Sequence, residues 1–205
     1  MMTGGMPAFA AGSLYALILW SISAAAARRR GLRLGPCPWW VIGLSGAATL
    51  ALHLAFPAGA APALSAGLVG AIVAGLVDAR TGYIFDPLTL AIAASAGAAA
   101  LCSGRLGDAA VGALVVGTGL ALLYLATGRR GIGLGDVKLG SALALGFGPA
   151  AGIVALGSAF VLGAVYALVM IGCGRLQRTA ALRFGPFIAG GAAAGLSAQA
   201  LGWHL

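Results

Sequence analysis

The carboxylates are the side chains that most restrict the chemistry open to this chain. The sequence has no glutamate, so carboxylate chemistry has four candidates, which are Asp78, Asp86, Asp108 and Asp136. Hydrophobic residues make up 61% of the chain, which indicates a membrane protein. Within a membrane, an ionisable side chain costs at least ~2.5 kcal/mol. Each aspartate therefore needs a reason, either a function or the end of a helix.

Two aspartates have the sequence context of helix N-caps. Asp108 follows Gly107 at the start of an apolar run, and Asp86 precedes Pro87 and a fresh apolar run. A capping carboxylate accepts free backbone N–H bonds and meets the positive end of the helix dipole. Proline suits the first helical position. We therefore predict that Asp86 and Asp108 cap helices.

Asp78 and Asp136 have a different context. Asp78 ends the apolar run 70–77, where the helix dipole is negative and destabilises a carboxylate. Asp136 follows a glycine-rich stretch that includes Gly133 and Gly135, and it stands at the mouth of the next apolar run. Glycines there would let the backbone approach an extended substrate closely and would leave room at the acid.

If Asp78 and Asp136 lie at the same membrane face, as the topology below predicts, they suggest the dyad of an aspartyl protease. Carboxylates within hydrogen-bonding distance cannot both ionise, so they share one proton. The ionised member takes a proton from water as it attacks the peptide carbonyl, and the protonated member donates to the oxyanion or the leaving amine. This chemistry needs no metal, no other cofactor and no covalent intermediate.

The elements that position these acids are membrane helices. Charged residues make up only 8% of the chain, against about 25% in soluble globular proteins, and a spanning helix needs about 20 mostly apolar residues. Breaks at charges, prolines and glycine clusters predict an all-α polytopic transmembrane bundle forming one domain over residues 1–205. The predicted spans are 5–27, 39–56, 62–78, 88–104, 108–127, 137–149, 151–173 and 186–203.

The positive charges predict the orientation of this bundle. With the N-terminus outside, eleven of the twelve cations fall on inner loops and only Arg105 lies outside, as the positive-inside rule expects. The chain is then N-out and C-out, and Asp78 and Asp136 share the inner face. The inner cations are Arg28, Arg29, Arg30, Arg33, Arg80, Arg129, Arg130, Lys138, Arg175, Arg178 and Arg183.

The same charges and the cysteines exclude other classes of protein. The formal charge of +8 is spread in small groups between apolar runs and forms no basic domain, so no nucleic-acid partner is expected. The three cysteines are far apart and include no CxxC pair, which indicates neither a disulfide framework nor a zinc site. The lipid bilayer is the expected surrounding.

Three stretches of the sequence resemble the type IV prepilin peptidase family, the bacterial GxGD aspartyl proteases. The match covers most of residues 62–195. The stretches are Val77-Asp-Ala-Arg-Thr-Gly-Tyr-Ile84 with Leu88-Thr89, Gly131-Ile-Gly-Leu-Gly-Asp-Val-Lys-Leu139, and Arg183-Phe-Gly-Pro-Phe187 with Ala189-Gly190.

The resemblance implies a function and a location. Asp78 and Asp136 would be the catalytic pair, working at the cytoplasmic face of the bacterial inner membrane. The substrate would be a type IV prepilin or a secretion pseudopilin, with a short basic leader and a hydrophobic helix after the cleavage point.

Two features depart from the family pattern. Phe85 stands where the family usually has proline before an aspartate or asparagine, and the proline is displaced to Pro87. The short loop from Arg28 to Trp39 replaces the cytoplasmic insertion of larger members, which carries paired CxxC zinc motifs. We therefore expect a peptidase without N-methyltransferase activity.

One residue, Lys138, and one segment, 184–187, each have both a structural and a functional interpretation. Lys138 lies about 200° around a helix from Asp136, so it either anchors the helix at the inner surface or supports the active site. The residues Phe184, Gly185, Pro186 and Phe187 either form a turn into the last helix or shape a substrate groove.

Two alternatives remain open at this point. A small transporter or proton-relay protein could use Asp78, Asp136 and Lys138, although acids at helix mouths rather than near the midplane disfavour it. A rhomboid-type serine protease is suggested by the GxSG string that contains Ser45, yet His53 is about 12 Å farther along the same helix and His204 is nearly terminal.

Overall fold

The computed structural model describes residues 5–129, 131–177 and 182–201. Within these ranges the fold is all-α and contains no strand, as the sequence predicts. The predictions for Arg130, Arg178 and His204 concern residues outside these ranges. The helices are α1 (Gly5–Arg29), α2 (Trp39–Ala55), α3 (Ala61–Thr81), α4 (Asp86–Cys102), α5 (Leu106–Ala126), α6 (Leu134–Phe147), α7 (Pro149–Gly172) and α8 (Gly185–Ala200).

Each predicted span corresponds to one of these helices, with ends that differ by a few residues. Four of the helices, α1, α3, α5 and α7, are long and apolar enough to cross a membrane. The break between the sixth and seventh spans is present, because α6 ends at Phe147 and α7 begins at Pro149. Gly148 between them has φ 78°, a conformation that glycine adopts readily.

Helix α3 lies at the centre of the bundle and packs against α1, α2, α4, α6 and α8. Most of its residues are buried, and many are small. Small faces also bring α7 and α8 together, because a Cβ on Gly195 would lie 2.6 Å from the Ala151 carbonyl oxygen. Such close backbone approach supplies the packing that lipid tails cannot drive by a hydrophobic effect.

The predicted capping roles of Asp86 and Asp108 are wrong, because both helices begin earlier than expected. Asp86 is the first residue of α4 and Phe85 is its N-cap. Asp108 is the third residue of α5 and Arg105 is its N-cap. Neither cap position has a side-chain hydrogen bond, although both carboxylates still lie in a first turn, where the helix dipole favours negative charge.

Candidate active site

Asp78 lies in the last turn of α3 and is buried, with 6% of its surface exposed. Its Oδ2 accepts a hydrogen bond of 2.9 Å from the backbone N–H of Gly185, the first residue of α8. The free N–H groups of a helix start favour a negative charge. Asp78 is thus held at the junction of two helices, α3 and α8.

Glycines make this junction possible. A Cβ on Gly185 would lie 2.7 Å from the Cβ of Asp78 and 2.9 Å from its Oδ2. A Cβ on Gly75, one turn earlier in α3, would lie 2.9 Å from the Gly185 carbonyl oxygen. Any side chain at position 185 would therefore move either the carboxylate or the start of α8.

Asp136 lies in the first turn of α6 and is half-buried. Its Oδ2 accepts a hydrogen bond of 3.1 Å from the backbone N–H of Gly133, the N-cap of α6. This bond is one half of a capping box. A Cβ on Gly133 would lie 2.9 Å from the same oxygen, so the carboxylate occupies the space that a side chain would need.

The structure brings Asp78 and Asp136 to the same end of the bundle. Asp78 is in the last turn of α3, and Asp86 begins α4 only a short loop later. Lys138, in α6 close to Asp136, bonds to Asp86, so all four residues share that end.

Lys138 has a partner that the sequence did not indicate. Its Nζ donates a hydrogen bond of 2.8 Å to Asp86 Oδ1, which ties α6 to the start of α4. The two side chains are 44% and 67% exposed respectively. Because the partners are 52 positions apart, no local spacing in the sequence could have revealed the pair.

The segment 184–187 divides its contacts between two helices. Gly185 meets Asp78, while the rings of Phe184 and Phe187 pack against α7. Phe184 lies 4.9 Å from Phe160, and Phe187 lies 5.3 Å from Tyr166, measured between ring centroids. Pro186 is exposed in the first turn of α8. The predicted turn into the last helix is therefore present.

Arginines surround this end of the bundle and contact aromatic rings or backbone. The Arg80 guanidinium lies 5.1 Å from the Trp20 ring centroid, and that of Arg30 lies 5.4 Å from the Tyr83 ring. Arg183 donates to the Ala79 carbonyl oxygen. These contacts suit anchoring of helix ends.

The serine-protease alternative lacks its base among the described residues. The Ser45 hydroxyl is buried in α2 with no hydrogen-bond partner. The ring of His53 is exposed, and its Nδ1 lies 2.9 Å from the Thr49 carbonyl oxygen in the same helix. No Ser–His pair forms between these two residues.

Each of the two aspartates has one carboxylate oxygen available for acid–base chemistry. Each carboxylate is oriented by one backbone N–H through its Oδ2. In the hydrogen bonds of the described residues, neither Oδ1 has a partner, so each of these oxygens is left for water or a substrate. A carboxyl group oriented in this way can accept a proton from water or donate one to a reacting group.

Comparison with known proteins gives one match. No curated protein and no solved structure matches the chain significantly. The type IV leader peptidase family matches residues 65–168, which is slightly more than half of the chain and includes both Asp78 and Asp136. The resemblance found in the sequence is thereby confirmed, and the chain belongs to the type IV leader peptidase family.

Proposed function

We propose that this protein is a membrane aspartyl endopeptidase that removes leader peptides from type IV prepilins or pseudopilins. Asp78 and Asp136 would be its catalytic pair. The observation that supports the proposal is the location of both aspartates at one end of the bundle, each oriented by a glycine N–H. Membership of the leader peptidase family supports the reaction class.

In the proposed reaction the dyad activates water. The ionised aspartate takes a proton from water as the water oxygen adds to the scissile carbonyl carbon. The protonated aspartate stabilises the oxyanion and then gives a proton to the amine as the C–N bond breaks. Because each Oδ2 is held by backbone, both carboxylates keep their orientation through the cycle.

We also propose that all eight helices span the bacterial inner membrane, N-out and C-out. The dyad would then face the cytoplasm. Arg30, Arg80, Lys138 and Arg183 gather at the end that bears the aspartates. Arg105, between α4 and α5, lies instead close to Gly148 at the other end. This distribution supports a cytoplasmic dyad by the positive-inside rule.

The central test is loss of cleavage on neutralising either aspartate. Asp78→Asn and Asp136→Asn should each abolish cleavage, because each removes one member of the acid–base pair and keeps its shape. Co-expression with candidate prepilins and pseudopilins, read as the size shift on leader removal, measures this. Asp108→Asn at the opposite end is the control and should cleave normally. Cleavage by either dyad variant would refute the proposal.

A further prediction concerns reagents. With two aspartates as the only reacting groups, chelators, serine reagents and thiol reagents should leave cleavage largely unchanged. Treated membranes can be assayed with the same size-shift readout. Activity that falls with EDTA and returns on adding zinc would count against the aspartyl mechanism.

A further inference from the structure

Two contacts flank Asp136 in the chain, and both join it to the segment that follows Asp78. On one side Gly135 lies against Ile84, where an added Cβ would stand 3.1 Å from the Ile84 Cβ. On the other side Lys138 Nζ bonds to Asp86 Oδ1 at 2.8 Å. Ile84 thus contacts Gly135, and Asp86, two residues later, bonds to Lys138.

The segment that makes these contacts is itself fixed to Asp78. Gly82 ends α3 in the left-handed conformation, with φ 71°, and its N–H donates to the Asp78 carbonyl oxygen at 2.7 Å. Phe85 is buried, with 1% of its surface exposed, and forms the N-cap of α4. Only a short, anchored stretch of chain therefore separates Asp78 from Asp86.

The hydrogen bonds of the two aspartates cannot set the distance between them. The bond from Gly133 to Asp136 lies within one turn and moves with α6. The bond from Gly185 ties Asp78 to α8. The relative position of the two carboxylates therefore comes from the packing of α6 against α3 and α4. At the end that bears the aspartates, Ile84 and Asp86 add contacts to α6.

We propose that the Asp86–Lys138 ion pair positions Asp136 against Asp78. Asp86 and Lys138 are positioning residues that act through the placement of the first turns of α6. The inference rests on the proposed peptidase function and adds to it a structural requirement outside the dyad. Asp86 also borders a cleft that contains Arg29 and Arg30, but of the described cations only Lys138 forms a salt bridge with it.

A double-mutant cycle on prepilin cleavage tests this role. Asp86→Asn and Lys138→Gln should each lower kcat about two- to fivefold, the size expected for a partly exposed ion pair, with KM unchanged. The double variant should be no worse than either single variant, because the interaction is already lost. Lys138→Arg, which keeps the charge, should retain activity, and Asp108→Asn is the matched control at the opposite end.

The outcomes separate this inference from the proposed function. If the unmodified protein cleaves no prepilin or pseudopilin, the proposed function fails, and the inference that rests on it fails as well. If it cleaves normally but the two single effects multiply in the double variant, the ion pair does not act as a unit and the inference alone is overturned. Asp86 and Lys138 also border a 680 Å³ groove between α4, α5 and α6. If the variants change KM rather than kcat, the two residues contact the substrate in this groove, and the inference is again overturned.

Discussion

Asp78 owes its orientation to a glycine far away in the chain. The Gly185 N–H reaches Oδ2 only because no side chain stands between α3 and the start of α8. A carboxylate that accepts a backbone N–H makes a charge-assisted hydrogen bond, which is stronger and more directional than a neutral one. The position of the acid is therefore as sensitive to residue 185 as to residue 78 itself.

Gly185→Ala should lower cleavage about 10- to 100-fold without preventing membrane insertion. The new methyl group would stand 2.7 Å from the Cβ of Asp78, and a displacement near 1 Å at a catalytic group costs about that much in rate. Rates of leader removal at matched protein levels give the measurement. Gly119→Ala is the control because a Cβ there meets no atom within 4 Å. Equal rates for the two variants would show that the close contact does not position Asp78.

At the residue scale the sequence identifies individual acids better than their partners. The contexts of Asp78 and Asp136 separate them from Asp86 and Asp108, and both lie at the same end of the bundle. The hydrogen bond from Gly133 to Asp136 was missed, although an acid three residues after a helix start is a recognisable capping signal. Lys138 could not be matched with Asp86, because that pairing depends on how α4 packs against α6.

At the scale of helices, the sequence predicts where helices end and begin, because glycine and proline mark these positions. Gly148 and Pro149 end one helix and begin another, and Gly82 ends α3. Which helices become neighbours is not encoded locally, since every span is rich in small and aliphatic residues. The contact of α7 with α8 depends instead on where backbone meets backbone, and Gly191 marks such a place.

Gly191→Ala should destabilise the protein by about 1–3 kcal/mol, the usual cost of overpacking a tight interface. A Cβ at this position would overlap the Ala155 carbonyl oxygen of α7. Thermal unfolding in detergent, followed by circular dichroism, should show a lower midpoint. A Cβ on Gly157 in α7 would meet no atom within 4 Å, so Gly157→Ala should not lower the midpoint. A matching drop in both variants would show that the close contact with Ala155 is not the cause, because replacing glycine by alanine by itself favours a helix.

At the scale of the whole molecule, the placement of charge makes the topology testable. Positions 80 and 131 should label from the cytoplasmic side, and positions 59 and 105 from the outside, because the cations require that alternation. Single cysteines at these sites can be labelled with an impermeant maleimide in intact cells and inverted vesicles. The background would lack Cys37, Cys102 and Cys173. Labelling of 80 and 131 from opposite faces would favour a proton relay over a peptidase.

The length of α6 has a consequence for the membrane around the protein. Its 14 residues rise only about 21 Å, whereas the hydrocarbon core is about 30 Å thick. As a proposed span, α6 would therefore create a hydrophobic mismatch beside Asp136, which thinning of the bilayer, snorkelling of flanking residues or a water-filled depression would accommodate. With a thinned bilayer or a depression, water, which is the second reactant of the proposed peptidase, would reach the carboxylates below the general level of the lipid headgroups.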